Sequence, residues 1–176
     1  ACDGTGYGGD DTGYGGDDTG YGGDDTVWGG ELFAGSVSDG LRRVAHLRAV
    51  AVPGGDVAQR HPARVALAYL TAFGIPWHDE LAPVAVHDHE QRHLLRTQLA
   101  KGVACVDTSS MGRFFDAIAS LCGLRHEVSF EAQAALDLEF AARRALDDRA
   151  RIGGAGTPRR YRFDLRSASV AGALGG

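Results

Sequence analysis

The residues near the start of the chain could hold a metal ion and a phosphate group. Asp3 is followed by Gly4, Thr5 and Gly6, and a turn of this composition can direct its backbone amides at an anion. An Asp at the entrance of such a turn can ligate a metal ion, and glycines let a phosphate approach the backbone closely. Because short glycine-rich motifs are common by chance, these four residues alone favour a simple hairpin turn.

A tandem repeat begins within the same motif. The heptapeptide Thr-Gly-Tyr-Gly-Gly-Asp-Asp fills residues 5–11, 12–18 and 19–25 without a change, and a diverged fourth unit follows at 26–32. Its paired Asp and Gly-Gly would suit a calcium-binding repeat module, but calcium β-rolls use a period of about nine residues. An odd period would also turn successive copies to opposite faces of a strand. We therefore expect residues 5–25 to be an insertion in a hairpin, with the calcium-binding module as the alternative.

Another pattern could bind zinc. His89, Glu90 and His93 match His-Glu-x-x-His on a predicted helix, where the two His can share a zinc ion and the Glu can act as general base. The helix of such a peptidase is buried beneath a sheet, whereas Asp88 and Arg92 bring charges to this one. These charges favour a solvated helix face, and a zinc peptidase is the second alternative.

Two predicted helix N-termini carry polar residues. Ser110 and Gly112 begin a helix that carries Asp116 further along. Helix N-termini bind anions, and a carboxylate nearby suits the hydroxyls of a ribose. A capped amphipathic helix needs the same residues, and the motif alone favours that explanation. Ser129 and Glu131 likewise predict a cap followed by an acidic first turn.

The pattern as a whole predicts a mixed α/β chain. Strands are expected at 26–33 and, from the alternation of side chains, at 161–165, while an apolar stretch at 44–52 ends in the turn 53–56. Helices are expected from 62 to a stop at 74, from 88 to 100, from about 109 to 123, and after 129 to about 148. A glycine-rich connector fills 151–158.

The composition excludes several classes of function. Most of the net charge of −5 lies in the repeat, so the remainder has no basic face for nucleic acid. No apolar run approaches the roughly 20 residues of a membrane span, and no signal peptide is visible. Three widely spaced Cys favour reduced thiols in a cytoplasmic protein, and Cys122 is expected in the core. Because the chain starts without Met, we expect a fragment that is incomplete at both ends.

Several motifs, taken in order, resemble one family. They lie at 2–8, 28–32, 46–48, 53–56, 108–117 and 128–135, and the match covers most of the chain. Together they resemble the HypF family of carbamoyltransferases, which mature nickel–iron hydrogenases, in the C-terminal domain related to the tRNA threonylcarbamoyl transferase TsaD. The resemblance implies that residues 1–176 are part of an actin-like, sugar-kinase type (ASKHA) fold.

The resemblance also implies a reaction. In the family, a separate YrdC-like domain makes carbamoyl-adenylate from carbamoyl phosphate and ATP. The TsaD-like domain then transfers the carbamoyl group to the C-terminal cysteine of HypE, where it becomes the precursor of the hydrogenase cyanide ligands. The implied cofactor is a divalent metal ion, zinc or iron, and the implied partners are a HypE-like acceptor and carbamoyl-adenylate, without nucleic acid or membrane.

The resemblance assigns roles to particular residues. Asp3 is expected to bind the metal ion, together with two His that precede it in the family. The expected contacts of the nucleotide and its phosphate are Gly4, Thr5, Gly6, Gly112 and Asp116, and the expected substrate loop is Gly54, Gly55 and Asp56. The paired His and the late family motifs lie outside the 176 residues, so we expect this chain alone to be inactive.

Overall fold

A computed structural model describes residues 6–7, 26–36, 38–151, 161–162 and 164–166. Within these ranges the strands are β1 (Gly6–Tyr7), β2 (Val27–Trp28), β3 (Glu31–Ser36), β4 (Gly40–His46), β5 (Val50–Pro53) and β6 (Cys105–Thr108). The α-helices are α1 (Pro62–Ala72), α2 (Ala82–Ala85), α3 (His89–Lys101), α4 (Met111–Leu121) and α5 (Gln133–Arg151), and a 3₁₀ helix spans Gly55–Arg60.

Four of the strands form one sheet, in the order β1-β2-β6-β5. Strands β2 and β6 are parallel, with Val27 opposite Thr108, and the two outer pairs are antiparallel. Strands β3 and β4 form a separate antiparallel pair with an irregularity between Leu32 and Phe33. Because β2 and β6 are parallel, their C-terminal ends meet at the same edge of the sheet, the position where open α/β sheets bind ligands.

Helix α1 lies at the centre of the core. Pro62 occupies its start, where the missing N–H costs no hydrogen bond. Val65 and Tyr69 pack in a cluster with β5 and α4, whereas Leu67 and Leu70 pack in a second cluster with residues of α2 and α3. The helix is therefore buried on two sides, and it fixes α4 relative to the sheet.

Three helix predictions are confirmed. Helix α1 ends before Gly74, whose φ of 67° lies in the left-handed region. Helix α3 begins with the predicted capping box, in which the Asp88 side chain and the Gln91 side chain each accept the other residue's backbone N–H. Ser110 caps α4 by accepting the Arg113 N–H.

Two segments of the sheet differ from the predictions. The strand expected at 26–33 is divided into β2 and β3 by a bend at Gly29 and Gly30, where the φ of Gly29 is 149°. Strand β6 and the short helix α2 were not predicted at all. The signal for β6 was the apolar run that begins at Val103, after the helix stop at Gly102, but four residues are too few to show an alternation.

Three expectations near the C-terminus are wrong. Helix α5 begins at Gln133 without an acidic first turn, and the Ser129 N–H instead donates to the Gln133 side chain. The described residues of 161–166 are not in a strand, and Tyr161 is 93% exposed. Cys122 is exposed, because it follows the last turn of α4 instead of facing the core.

The structure describes two residues of the repeat. Gly6 and Tyr7, in its first copy, pair antiparallel with Trp28 and Val27 of β2 in the diverged fourth unit. Most of the repeat, 8–25, and nearly all of the connector at 151–158 lie outside the described residues. No described helix is long and apolar enough to cross a membrane.

The packing of α1 gives a direct test of the core. Leu67 is fully buried, and Leu67→Ala should lower the free energy of unfolding by about 2–5 kcal/mol, because it removes contacts and leaves a cavity. Leu94→Ala is the matched control, since Leu94 on α3 is 65% exposed. Urea unfolding of the two variants measures the difference, and equal losses would contradict this description of the core.

Candidate functional site

The candidate site lies where β2 and β6 end and α4 begins. Thr108 is the last residue of β6, and its hydroxyl donates to the Val27 carbonyl at 3.0 Å and accepts the Ser110 N–H at 3.0 Å. Ser109 and Ser110 are fully buried. The polar side chains that the sequence places before α4 therefore hold the two parallel strands and the helix together.

The backbone amides at the start of α4 are mostly used within the protein. Besides the Ser110 N–H, the Met111 N–H donates to the Gly29 carbonyl at 3.2 Å and the Arg113 N–H donates to the Ser110 hydroxyl at 3.4 Å. The Gly112 N–H is the one amide of 110–113 for which the described residues provide no acceptor. An anion at this helix N-terminus would therefore meet the Gly112 amide.

A buried carboxylate that the sequence analysis did not assign joins the two segments. Glu31 accepts the N–H groups of Gly29 and Gly30 with Oε2, at 2.6 and 2.8 Å, and the Ser109 hydroxyl with Oε1. Its side chain is 4% exposed. One feature of the sequence could have pointed to Glu31. It stands in the diverged fourth repeat unit at the position where the three identical copies carry Asp.

An arginine and a tryptophan lie beside this carboxylate. Arg43 Nη2 is 3.4 Å from Glu31 Oε1, and the Arg43 guanidinium carbon lies 3.9 Å from the centre of the Trp28 ring. Stacking on an indole and pairing with a carboxylate both stabilise a guanidinium that is largely withdrawn from water. This arrangement accounts for the burial of Arg43 on a strand whose other residues are mostly exposed.

Buried polar atoms without a hydrogen-bond partner are concentrated in this region. Within the described residues they are Trp28 Nε1, Arg43 Nε, Arg113 Nε and Nη1, and Asp116 Oδ2. Two of these atoms, Arg113 Nη1 and Asp116 Oδ2, form an ion pair at 2.9 Å. Native proteins pair most buried polar groups, so the other three are exceptions to this rule on β2, β4 and α4.

Asp116 is covered by the protein. Its Oδ2 lies 2.9 Å from Arg113 Nη1 in an ion pair that lacks hydrogen-bond geometry, and the side chain is 5% exposed. Burial raises the pKa of Asp116 to about 6, although the Arg113 charge acts in the opposite direction. Burial also raises the pKa of the nearby Tyr69 to about 12. The carboxylate therefore faces Arg113 and the core, close behind Gly112.

The residues expected near the phosphate are only partly described. Asp3, Gly4 and Thr5 lie outside the described residues. Gly6 lies in β1 directly opposite Trp28, and β2 separates β1 from Thr108 in β6. Gly6 and Thr108, which leads into α4, are thus at the same edge of the sheet.

The expected substrate loop lies elsewhere. Gly54 has a φ of 103° and donates its N–H to the Ala104 carbonyl at 2.8 Å. Gly55 and Asp56 begin the 3₁₀ helix, and the side chain of Asp56 lies outside the described part of the structure. Because Pro53 pairs with Cys105, this loop is at the start of β6, whereas α4 follows its end. The structure therefore does not bring the loop and Gly112 together.

The His-Glu-x-x-His motif lies on the surface. His89, Glu90 and His93 are exposed on α3, and Arg92 beside them pairs with Asp79 at 2.5 Å. In the part of the chain that the structure describes, no group of three or more His, Cys, Asp or Glu could hold a metal ion. The geometry agrees with the favoured interpretation of a solvated helix face.

Comparison with known proteins gives the family. Residues 16–169, more than half of the chain, match the model for the carbamoyltransferase Kae1-like domain, second subdomain. The chain is 39% identical to carbamoyltransferase HypF2 of Cupriavidus necator over 101 residues and 41% identical to carbamoyltransferase HypF of Rhodobacter capsulatus over 107 residues. These matches cover 57% and 58% of this chain but 12% and 14% of those proteins.

Solved structures agree with this result. The crystal structure of full-length HypF in the phosphate- and nucleotide-bound form has a TM-score of 0.58 and 34% identity, covering 77% of this chain and 16% of that one. The crystal structure of T. kodakarensis HypF has a TM-score of 0.53 and 27% identity, covering 65% of this chain and 16% of that one. They confirm a mixed α/β fold that is part of a Kae1-like domain. The chain therefore belongs to the HypF carbamoyltransferase family.

The pKa of Asp116 predicts an unusual pH dependence. Because the folded-state pKa is raised to about 6 from an ordinary value near about 4, the folded state binds the proton more tightly than the unfolded state. This contribution to stability is complete below about pH 4 and is lost as the pH rises through about 6. Relative to Asp116→Asn, the unmodified chain should lose about 2 kcal/mol of unfolding free energy between pH 4 and pH 7.5.

Urea unfolding at intervals from pH 4 to pH 7.5 measures this difference. Asp147→Asn, which removes an exposed carboxylate of α5, is the matched control. A difference between the unmodified chain and Asp116→Asn that stays constant, or that grows in favour of the unmodified chain with rising pH, would contradict the assignment.

Proposed function

We propose that this chain contributes the nucleotide site of a carbamoyltransferase that acts in hydrogenase maturation. The substrate is carbamoyl-adenylate, and the acceptor is the C-terminal cysteine of a HypE-like protein. Membership of the HypF family supports the reaction class. The single observation that carries the proposal is the edge of the sheet where Gly6 of β1, Trp28 of β2 and Thr108 of β6, which leads into α4, lie on neighbouring strands.

The residues at this edge suit a nucleotide. The Gly112 N–H points out of a helix N-terminus and has no acceptor among the described residues, so it can donate to an anionic oxygen. Arg113 and Asp116 lie on the next turn of the helix as an ion pair at 2.9 Å, with side chains that are 12% and 5% exposed. The resemblance implies that Asp116 accepts hydrogen bonds from ribose hydroxyls, which requires the ligand to reach this carboxylate past Arg113.

The chemistry is divided between the ligand and the protein. Carbamoyl-adenylate supplies the activated carbamoyl group. The start of α4 binds and orients the adenylate. The assignment of Asp3 as a ligand of zinc or iron, and of Gly4 and Thr5 as phosphate contacts, remains a prediction from the resemblance.

Membership of the family also supports a proposal for the acceptor and for the location of the reaction in the cell. The acceptor is a protein, and the acidic chain offers no basic face for nucleic acid. We propose a location in the cytoplasm, where hydrogenase maturation would take place and where thiols such as Cys105 and Cys122 remain reduced.

A glycine substitution separates nucleotide binding from folding. A Cβ at Gly112 would lie 3.4 Å from the Ser110 hydroxyl oxygen and would require only a small adjustment. Gly112→Ala should therefore leave stability unchanged or raise it by up to about 1 kcal/mol. If the nucleotide binds against this backbone, the methyl group should weaken AMP binding at least about tenfold, measured by calorimetry on the full product of the gene.

The control is Gly30, a glycine at which the fold leaves no room for a side chain. A Cβ at Gly30 would clash with the Ser109 carbonyl oxygen and would lie 2.8 Å from Leu47 Cδ1, so Gly30→Ala should reduce stability. Unchanged AMP affinity in Gly112→Ala would contradict the proposed site. Carbamoylation of the HypE acceptor, followed by mass spectrometry, tests the reaction itself, and its absence from the full gene product would contradict the proposed activity.

A further inference from the structure

Glu31 uses its whole carboxylate within the protein. Its two oxygens accept two backbone N–H groups and one hydroxyl, and the Arg43 guanidinium lies 3.4 Å from Oε1. With a side chain that is 4% exposed and four donor groups around it, the carboxylate has no free face for a ligand. Glu31 can therefore act only through the protein groups that donate hydrogen bonds to it.

These groups belong to two segments that are far apart in the sequence. Gly29 and Gly30 form the bend after β2, and Ser109 precedes α4. The backbones are also in direct contact, because the Ser109 N–H donates to the Val27 carbonyl at 3.0 Å and the Met111 N–H donates to the Gly29 carbonyl. Glu31 adds the side-chain bonds that close this junction.

The junction determines where two parts of the proposed site lie. Residue 28 pairs with Gly6 on one side of β2, and residue 27 pairs with Thr108 on the other. A shift of the bend relative to Ser109 would therefore move the β1 strand relative to Gly112. Small displacements of this kind can reduce catalysis about 100-fold, even when the displaced residue does not touch the substrate.

We infer that Glu31 is a positioning residue, which holds the bend after β2 against the start of α4 and so fixes the distance between the Gly6 strand and Gly112. This inference rests on the proposed function for the identity of the ligand. The geometry of the junction itself is independent of that function.

Glu31→Ala and Glu31→Gln test the inference in the full product of the gene. Glu80→Gln is the matched control, because Glu80 is an exposed carboxylate of the turn before α2. At a temperature where all variants are folded by circular dichroism, kcat/KM for carbamoyl transfer should fall about 100-fold in Glu31→Ala. Glu31→Gln, which keeps one oxygen acceptor, should lie between this variant and the control.

Hydrogen exchange of peptide amides supplies a readout that does not depend on activity. In Glu31→Ala the peptide that contains Ser109 and Met111 should exchange at least about tenfold faster, while a peptide from α1 should keep its rate. A residue that contributed only to the global stability of the fold would, when replaced, accelerate the hydrogen exchange of both peptides by the same factor. Equal acceleration, or unchanged exchange and unchanged kcat/KM per folded molecule, would overturn the inference.

The two proposals can fail separately. If the unmodified gene product transfers no carbamoyl group, the proposed function is wrong, and the local acceleration at Ser109 and Met111 still decides whether Glu31 positions the junction. If transfer occurs but Glu31→Ala retains the kcat/KM of Glu80→Gln, the function stands and the inference about Glu31 is wrong.

Discussion

The contact between the bend after β2 and the start of α4 is the constraint on which the rest of the site depends. Burying the Glu31 charge would be costly without donors, and Gly29, Gly30, Ser109 and Arg43 provide them. A movement that separates the bend from Ser109 would remove hydrogen-bond donors from this buried charge. The contacts of Glu31 therefore stabilise the register between β2 and β6, and β1, which carries Gly6 and pairs with β2, is held in place with them.

Helix α4 extends this constraint into the core. Its first turn receives the contacts of the bend, while Phe114 packs 5.8 Å from the Tyr69 ring and Ala117 is buried beneath α1. The same helix thus carries the Gly112 amide on one end and core residues along its length. Arg113 and Asp116 lie between these two regions, so the polar groups of the proposed site are supported by packing that does not involve the ligand.

The sequence-based predictions were accurate where the residues that determine a feature are close together in the sequence. The capping box at Asp88 and the cap at Ser110 depend on neighbours within one turn, and both helices begin where their sequences indicate. The role of Glu31 depends on Ser109, which is 78 residues away, and no local pattern contains that contact. Strand β6 is central to the sheet but has four residues, and Cys122 was misplaced because the helical pattern did not show that α4 ends at 121.

The central claim is that the start of α4 binds the adenylate. The most direct measurement is a crystal structure of the full gene product with a non-hydrolysable analogue of carbamoyl-adenylate. Binding at the start of α4 predicts an anionic oxygen of the analogue within about 3 Å of the Gly112 nitrogen, with the ribose beside Asp116. An analogue bound over Gly54, at the opposite end of β6, or bound without contact to the 110–116 segment, would contradict it.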